Sequence, residues 1–152
     1  MATILHHNGD LLQSGVPLIV HQTNCMGVMG RGIAKSIREK YPEVFPPYHK
    51  LCMEMGRKLL GKTQFLLMHD GTFIANCFGQ YNYGTSHIQT DYHALESALS
   101  SVVDFAITED INRVGLPYRI GSALAGGNWD TVYDIIKRVF KDFPGTVEIW
   151  KL

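Results

Sequence analysis

Two glycine-rich segments have the residue types and spacing to hold phosphate. The first is "HQTNCMGVMGRGIA" (21–34), with Gly27, Gly30 and Gly32; the second is "GLPYRIGSALAGGNW" (115–129), with Gly121, Gly126 and Gly127. Each follows a buried apolar run and opens a helical pattern, so each sets unpaired backbone N–H groups at a helix start beyond a strand end. One such loop alone reads as a tight turn. Two of them, facing the same crevice of an open α/β sheet, are placed for the two phosphates of a diphosphate.

A third segment, "GRKLLGKT" (56–63), fits the Walker A pattern letter for letter. Its context is wrong. A P-loop runs strand, loop, helix, whereas this segment follows a helix and precedes the strand-like "TQFLLMH". Gly56 or Gly61 is better explained as a helix C-cap, with Arg57, Lys58 and Lys62 near the negative end of the helix dipole.

Around the two loops stand polar residues with two readings each. Asp10 either accepts from a ligand or caps the "NGD" turn. Asn24, at a strand tip, either contacts a ligand or holds its own loop by side-chain bonds to the backbone. His21 is either an acid near the first loop or a satisfied core histidine. Cys25 is either a nucleophile near His21 or an inert buried thiol. His6 and His7 cannot readily share a metal ion, because adjacent strand residues point to opposite faces.

The elements that must position these groups follow from periodicity. "TILHH" (3–7) and "PLIVHQTN" (17–24) read as strands, and "IAKSIREKY" as a helix closed by Pro42. "FPPYHKLCMEMGRKLL" reads as a second helix opened by its prolines. "TQFLLMH" and "TFIANCFG" read as two strands joined at Asp70-Gly71. A long helix from Thr90 to about Thr108 carries Tyr92, Leu95, Leu99, Val102, Val103 and Ala106 on one face. "RVGLPY" is a further strand. Asn128 caps a helix with Val132, Ile135, Ile136, Val139 and Phe140 in register, and "TVEIW" is the last strand. Interleaved strands and helices with one hairpin predict an α/β fold, a three-layer α/β/α sandwich around a mixed sheet, as one domain over 1–152.

Whole-chain properties narrow the classes. The 152 residues are 45% hydrophobic and 18% charged, a globular composition. Fourteen basic residues balance fourteen acidic ones, which argues against a nucleic-acid partner. Three cysteines without C-x-x-C spacing suggest free thiols in a reducing compartment. No signal-peptide pattern opens the sequence, and no apolar run reaches the ~18 residues of a membrane span. The reading is a cytoplasmic protein with no membrane association, no metal and no cofactor.

Taken in order, "GD" after the first strand, "H-x-x-N-x-x-G-x-x-G-x-G-I-A", "PYRIGSALAGGNW" and the terminal "V-x-I-W-x-L" resemble the macrodomain family over nearly the whole chain. The branch it is most similar to holds ADP-ribose 1''-phosphate phosphatases of yeast and phage type and the terminal ADP-ribose glycohydrolase of vertebrates. The resemblance implies a small-molecule ligand of the ADP-ribose type. It sets Asp10 at the adenine amino group with the Leu11 N–H beside it, and Asn24 at the distal ribose. Gly30, Gly32, Ile33 and Ala34 would wrap that ribose and one phosphate. Arg119, Ile120, Gly121, Ser122, Ala123, Leu124 and Ala125, with Gly126 and Gly127, would cradle the diphosphate, and Leu152 would lie near the adenine.

The glycohydrolase branch uses a lysine and an aspartate, where this chain has Gln80 (or Tyr81) and Ala125, so ester cleavage of that type lacks its groups. The phosphatase branch has a histidine in the strand of His21. The leading expectation is therefore binding of ADP-ribose with removal of phosphate from ADP-ribose 1''-phosphate, using His21 and His87. The alternative is a non-catalytic reader or sponge for ADP-ribose-derived signals. Under either reading ADP-ribose binds far more tightly than ATP in calorimetric titration. ATP binding of equal strength that vanished in Lys62→Ala would restore the P-loop.

Overall fold

The computed structural model describes residues 3–152. In chain order the elements are β1 (Thr3–Asn8), β2 (Leu18–Thr23), α1 (Gly32–Lys40), α2 (Phe45–Met55), β3 (Thr63–Leu67), β4 (Phe73–Phe78), α3 (Tyr92–Thr108), β5 (Arg113–Pro117), α4 (Trp129–Val139) and β6 (Thr146–Lys151). Short 3-10 turns occupy Leu11–Gln13, Pro42–Val44 and Gly56–Leu59. The six strands form one sheet in the order β1-β6-β5-β2-β4-β3. Only the β3–β4 hairpin is antiparallel. The sheet is mixed, as the interleaved pattern and the Asp70-Gly71 turn predict.

Strand alternation divides the core into two halves. Leu18 and Val20 of β2 join Ala75, Cys77, Val114, Leu116 and Val147 against α3 and α4. Ile19, Ile74 and Phe78 face the other way, against α1, α2 and the Leu11–Gln13 turn. The α4 stripe of Val132, Ile135 and Ile136 is buried in the first half. The result is helix, sheet, helix.

Where the structure differs from the sequence reading, local capping is the reason. The long helix starts at Tyr92, because Asp91 rather than Thr90 is its N-cap, accepting from the Ala94 N–H at 3.0 Å. The second helix ends at Met55, where Gly56 adopts φ +51°. The "GRKLLGKT" segment is a turn whose donors are already paired: Leu60, Gly61 and Lys62 N–H bond to Arg57, Phe78 and Leu59 carbonyls at 3.0, 2.9 and 2.8 Å. Those three N–H groups are not free for a phosphate.

One close approach sets the corner after β1. A Cβ at Gly115 would meet Leu11 Cδ1 at 2.7 Å and Val16 Cγ2 at 2.8 Å. The bare backbone of β5 thus lets the segment following Asp10 lie directly on the sheet. Gly115→Ala should cost about 1–3 kcal/mol, the usual price of overpacking. Urea unfolding of the variant checks this; unchanged stability would mean that the corner repacks freely.

Candidate functional site

The sheet order creates a crevice before any side chain is considered. β2 and β5 are parallel neighbours. After β2 the chain turns to α1 on one face; after β5 it turns to α4 on the other. Backbone leaving adjacent strands in opposite directions opens a cleft at their C-terminal ends. A cavity of about 510 Å³ occupies it. Its walls are the start of α1, the loop after β5 and the segment 80–85 after β4.

The first wall is made by Asn24. Its Oδ1 accepts from the N–H groups of Met26 at 3.0 Å and Val28 at 3.3 Å, and its Nδ2 donates to the Val28 carbonyl at 2.9 Å. The buried Tyr48 hydroxyl lies 2.8 Å from the same Oδ1. These bonds fold the loop and leave one amide hydrogen for a ligand. Arg31 follows as the N-cap of α1, with no side-chain capping bond. The first intrahelical bond runs from the Lys35 N–H to the Arg31 carbonyl. The N–H groups of Gly32, Ile33 and Ala34 therefore have no helical partner, and all three residues line the cavity.

The second wall holds its loop by carbonyls. Gly121 O accepts from the Gly127 N–H at 3.0 Å and from the Thr90 hydroxyl, and Ala125 O accepts from the Gln89 N–H at 2.7 Å. Ser122 is buried, its hydroxyl donating to Arg119 O at 3.0 Å. No protein acceptor is paired with the N–H groups of Ala123, Leu124 and Ala125 among the described residues. Gln22 joins the walls. Its Nε2 donates to Gln80 Oε1 at 2.8 Å and Thr90 Oγ1 at 3.0 Å. Gln22 Oε1 and Thr23 Oγ1 are buried without a protein partner. The lining carries two cations, Arg31 and Arg119, and neither a carboxylate nor an imidazole. The arrangement suits an anion.

Of the residues singled out in sequence, Asn24, Gly30, Gly32, Ile33, Ala34, Arg119, Ile120, Gly121, Ala123, Leu124 and Ala125 line this one cavity. Ser122, Gly126 and Gly127 shape the loop from behind. Asp10 caps the turn after β1, accepting from the Leu12 N–H at 2.9 Å, and Leu11 is buried in the core. Leu152 is exposed. Asp10, Leu11 and Leu152 are not part of the cavity wall. Gln22, Arg31, Tyr83, Thr85 and Tyr118 line it without having been singled out. Arg31, between two of the chosen glycines, could have been, and Tyr83 and Thr85 flank a glycine on a polar loop.

His21 is corrected by its surroundings. It is fully buried, on the face of β2 turned toward α1 and α2, and outside the cavity lining. Its Nε2 lies 2.6 Å from Asn76 Oδ1, while Asn76 Nδ2 donates to Gln64 at 3.1 Å. Asn76 thus presents its oxygen, so Nε2 carries the proton and Nδ1 is a buried nitrogen with no partner. A second proton would find no acceptor. Burial pushes the pKa down from 6.5 to about 4. This histidine serves the core and cannot reach a leaving group in the cavity. His87 is exposed on the loop beside Gly126 and is also outside the lining. Cys25 is buried, its thiol pushed up to about 11 by burial, which makes it a poor nucleophile.

The chain belongs to the Macro domain family, whose model matches residues 20–136. A DNA ADP-ribosyl glycohydrolase of Mycobacterium tuberculosis is 42% identical over 59 residues, 39% of this chain. The match spans only 16% of that protein's length. The ADP-ribose 1''-phosphate phosphatase of Saccharomyces cerevisiae is 28% identical over 121 residues, covering 74% of this chain and 67% of the relative. A solved structure of a Bacteroides thetaiotaomicron protein of unknown function superposes with a TM-score of 0.86 at 28% identity, covering 99% of both chains. Among the described residues no helix is long and apolar enough to cross a membrane.

Two measurements follow from this wiring. Asn24→Ala removes the bonds that fold the first loop, so it should lose about 1–3 kcal/mol of stability as well as any ligand affinity. Tyr48→Phe, which spares Asn24, should show a smaller loss of both in paired melting and titration. For His21 the folded state refuses a proton that the unfolded chain accepts between pH 6.5 and 4. Its contribution is complete above pH 6.5, declines as pH falls, and is gone below pH 4, a total of about 3 kcal/mol. Subtracting the unfolding curve of His21→Gln from that of the wild type isolates this slope; a flat difference would refute the buried neutral ring.

Proposed function

We propose that this chain binds ADP-ribose, with the diphosphate held between the start of α1 and the loop 121–125. The observation that carries this reading is the convergence of two sets of unpaired backbone N–H groups, from Gly32 to Ala34 and from Ala123 to Ala125, on one cavity that has arginines and no carboxylate in its lining. Such donors are already oriented, so an anion gains their full attraction without reorganising the site. The names of the yeast and mycobacterial relatives, both acting on ADP-ribose derivatives, support the choice of nucleotide. Asp10 and Leu152 would then meet the adenine from outside the cavity.

A second reading adds chemistry: removal of phosphate from ADP-ribose 1''-phosphate. The yeast phosphatase favours it, by its match along most of this chain. The geometry supplies phosphate-binding donors for that reaction and no acid or base from the positions expected in sequence. Binding without turnover is therefore the better-supported function.

Calorimetric titration with ADP-ribose tests the binding, and inorganic pyrophosphate tests its basis. Pyrophosphate should compete with ADP-ribose, while adenosine should bind far more weakly than ADP-ribose. If adenosine matched ADP-ribose, the glycine loops would not be the phosphate site. Phosphate release from ADP-ribose 1''-phosphate under multiple turnover, unaffected in His21→Gln, would move the conclusion to the second reading.

A further inference from the structure

Tyr118 separates the main cavity from a second, smaller cleft of about 200 Å³, bounded by His6, His7, Asn8, Tyr118, Ile149 and Lys151. It lies where β1 and β6 end, next to the turn that carries Asp10, since the Gly9 N–H bonds to the Lys151 carbonyl at 2.8 Å. Its charge is set by strand alternation. Val147, Ile149 and Lys151 share the face turned toward α4, while Glu148 and Trp150 face the opposite side. Glu148, the acid of β6, is held on that opposite side by Arg113, with Nε and Nη2 donating at 2.7 and 3.2 Å. β1 carries no acid at all.

The cleft lining therefore contains a lysine and no carboxylate. Lys151 makes no ion pair among the described residues, and its Nζ rests 5.2 Å above the Tyr118 ring. His6 approaches the cleft from β1, its Nε2 anchored 3.2 Å from the Tyr133 hydroxyl of α4. In a chain of zero formal net charge, the cleft thus presents the cation of Lys151 among aromatic and amide neighbours, while the Nε2 of its His7 lies 3.8 Å from Glu148 Oε1 on the opposite side.

We infer that this cleft receives a phosphate carried on the adenosine ribose of the nucleotide, and that Lys151 thereby distinguishes phosphorylated ADP-ribose from the plain form. The inference rests on the binding mode proposed above. With the diphosphate between the glycine loops and the adenine toward Asp10 and Leu152, the adenosine ribose stands at the Tyr118 partition. In that placement its hydroxyls would face the cleft that Lys151 lines. Two nucleotides share the required chemistry, those carrying the phosphate on the 2′ or on the 3′ oxygen.

Titration of the whole protein with ADP-ribose, its 2′-phosphate and its 3′-phosphate at low salt tests the assignment. At least one phosphorylated form should bind about threefold to fivefold more tightly than ADP-ribose, the size of a partly exposed ion pair. The preferred isomer identifies which oxygen faces the cleft. The ratio of the two affinities should fall to about one in Lys151→Met and below one in Lys151→Glu, with unchanged melting temperatures. It should also shrink as salt is raised. Equal or weaker binding of both phosphorylated forms to the wild type overturns the inference, as does a preference that survives Lys151→Glu. Failure of ADP-ribose itself to bind removes the underlying binding mode, and this inference with it.

Discussion

A single carboxamide ties two of the site's three walls together. Gln22 stands at the end of β2 and donates both to Gln80, on the loop after β4, and to Thr90, whose hydroxyl bonds Gly121. The constraint it answers is severe. A loop that is to offer its N–H groups to a ligand cannot use them to hold itself in place. This chain fixes the loop through its carbonyls instead: Gly121 O and Ala125 O are tied down, and the N–H groups of residues 123–125 are left over. The first loop obeys the same logic, with Asn24 folding the turn upstream so that the helix start stays open.

The layer structure was legible because it depends on long periodic segments. The Val132–Ile136 stripe and the apolar β2 run can be satisfied in few ways. The two glycine loops were legible for a related reason: glycine beyond a strand and before a helix is a backbone statement that needs little context. Side-chain roles were not legible. Asn24 reads alike as ligand contact or loop brace, and only the positions of Met26, Val28 and Tyr48 show that most of its bonds are spent inward. His21 shares an apolar strand with core residues, but its neighbour Asn76 is distant in sequence and fixes its tautomer. Gln22 has no sequence signal at all, because its importance lies in two partners brought up by the sheet.

His21 and His87, expected to do chemistry, and Cys25, weighed as a nucleophile, all lie outside the cavity lining. His21 and Cys25 are buried and hard to charge, while the cavity presents amides, hydroxyls and two arginines. Electrostatics carried by backbone dipoles needs no proton and works over a wide pH range. In the proposed binding mode such a site would recognise phosphate through the positions of its donors, and its selectivity would come from where the loops are held.

The bare start of α1 has a thermodynamic consequence. Arg31 gives that helix no capping side chain, and no acidic residue occupies its first turn. An isolated helix of nine residues with such an end would fray. In the proposed binding mode a phosphate would supply the acceptor that the sequence withholds, so the ligand would act as the helix's own N-cap. Occupancy and helicity at residues 32–34 would then be one equilibrium: amide exchange there would slow as the nucleotide bound, and any change that capped the helix from within would compete with the ligand for the same three hydrogens.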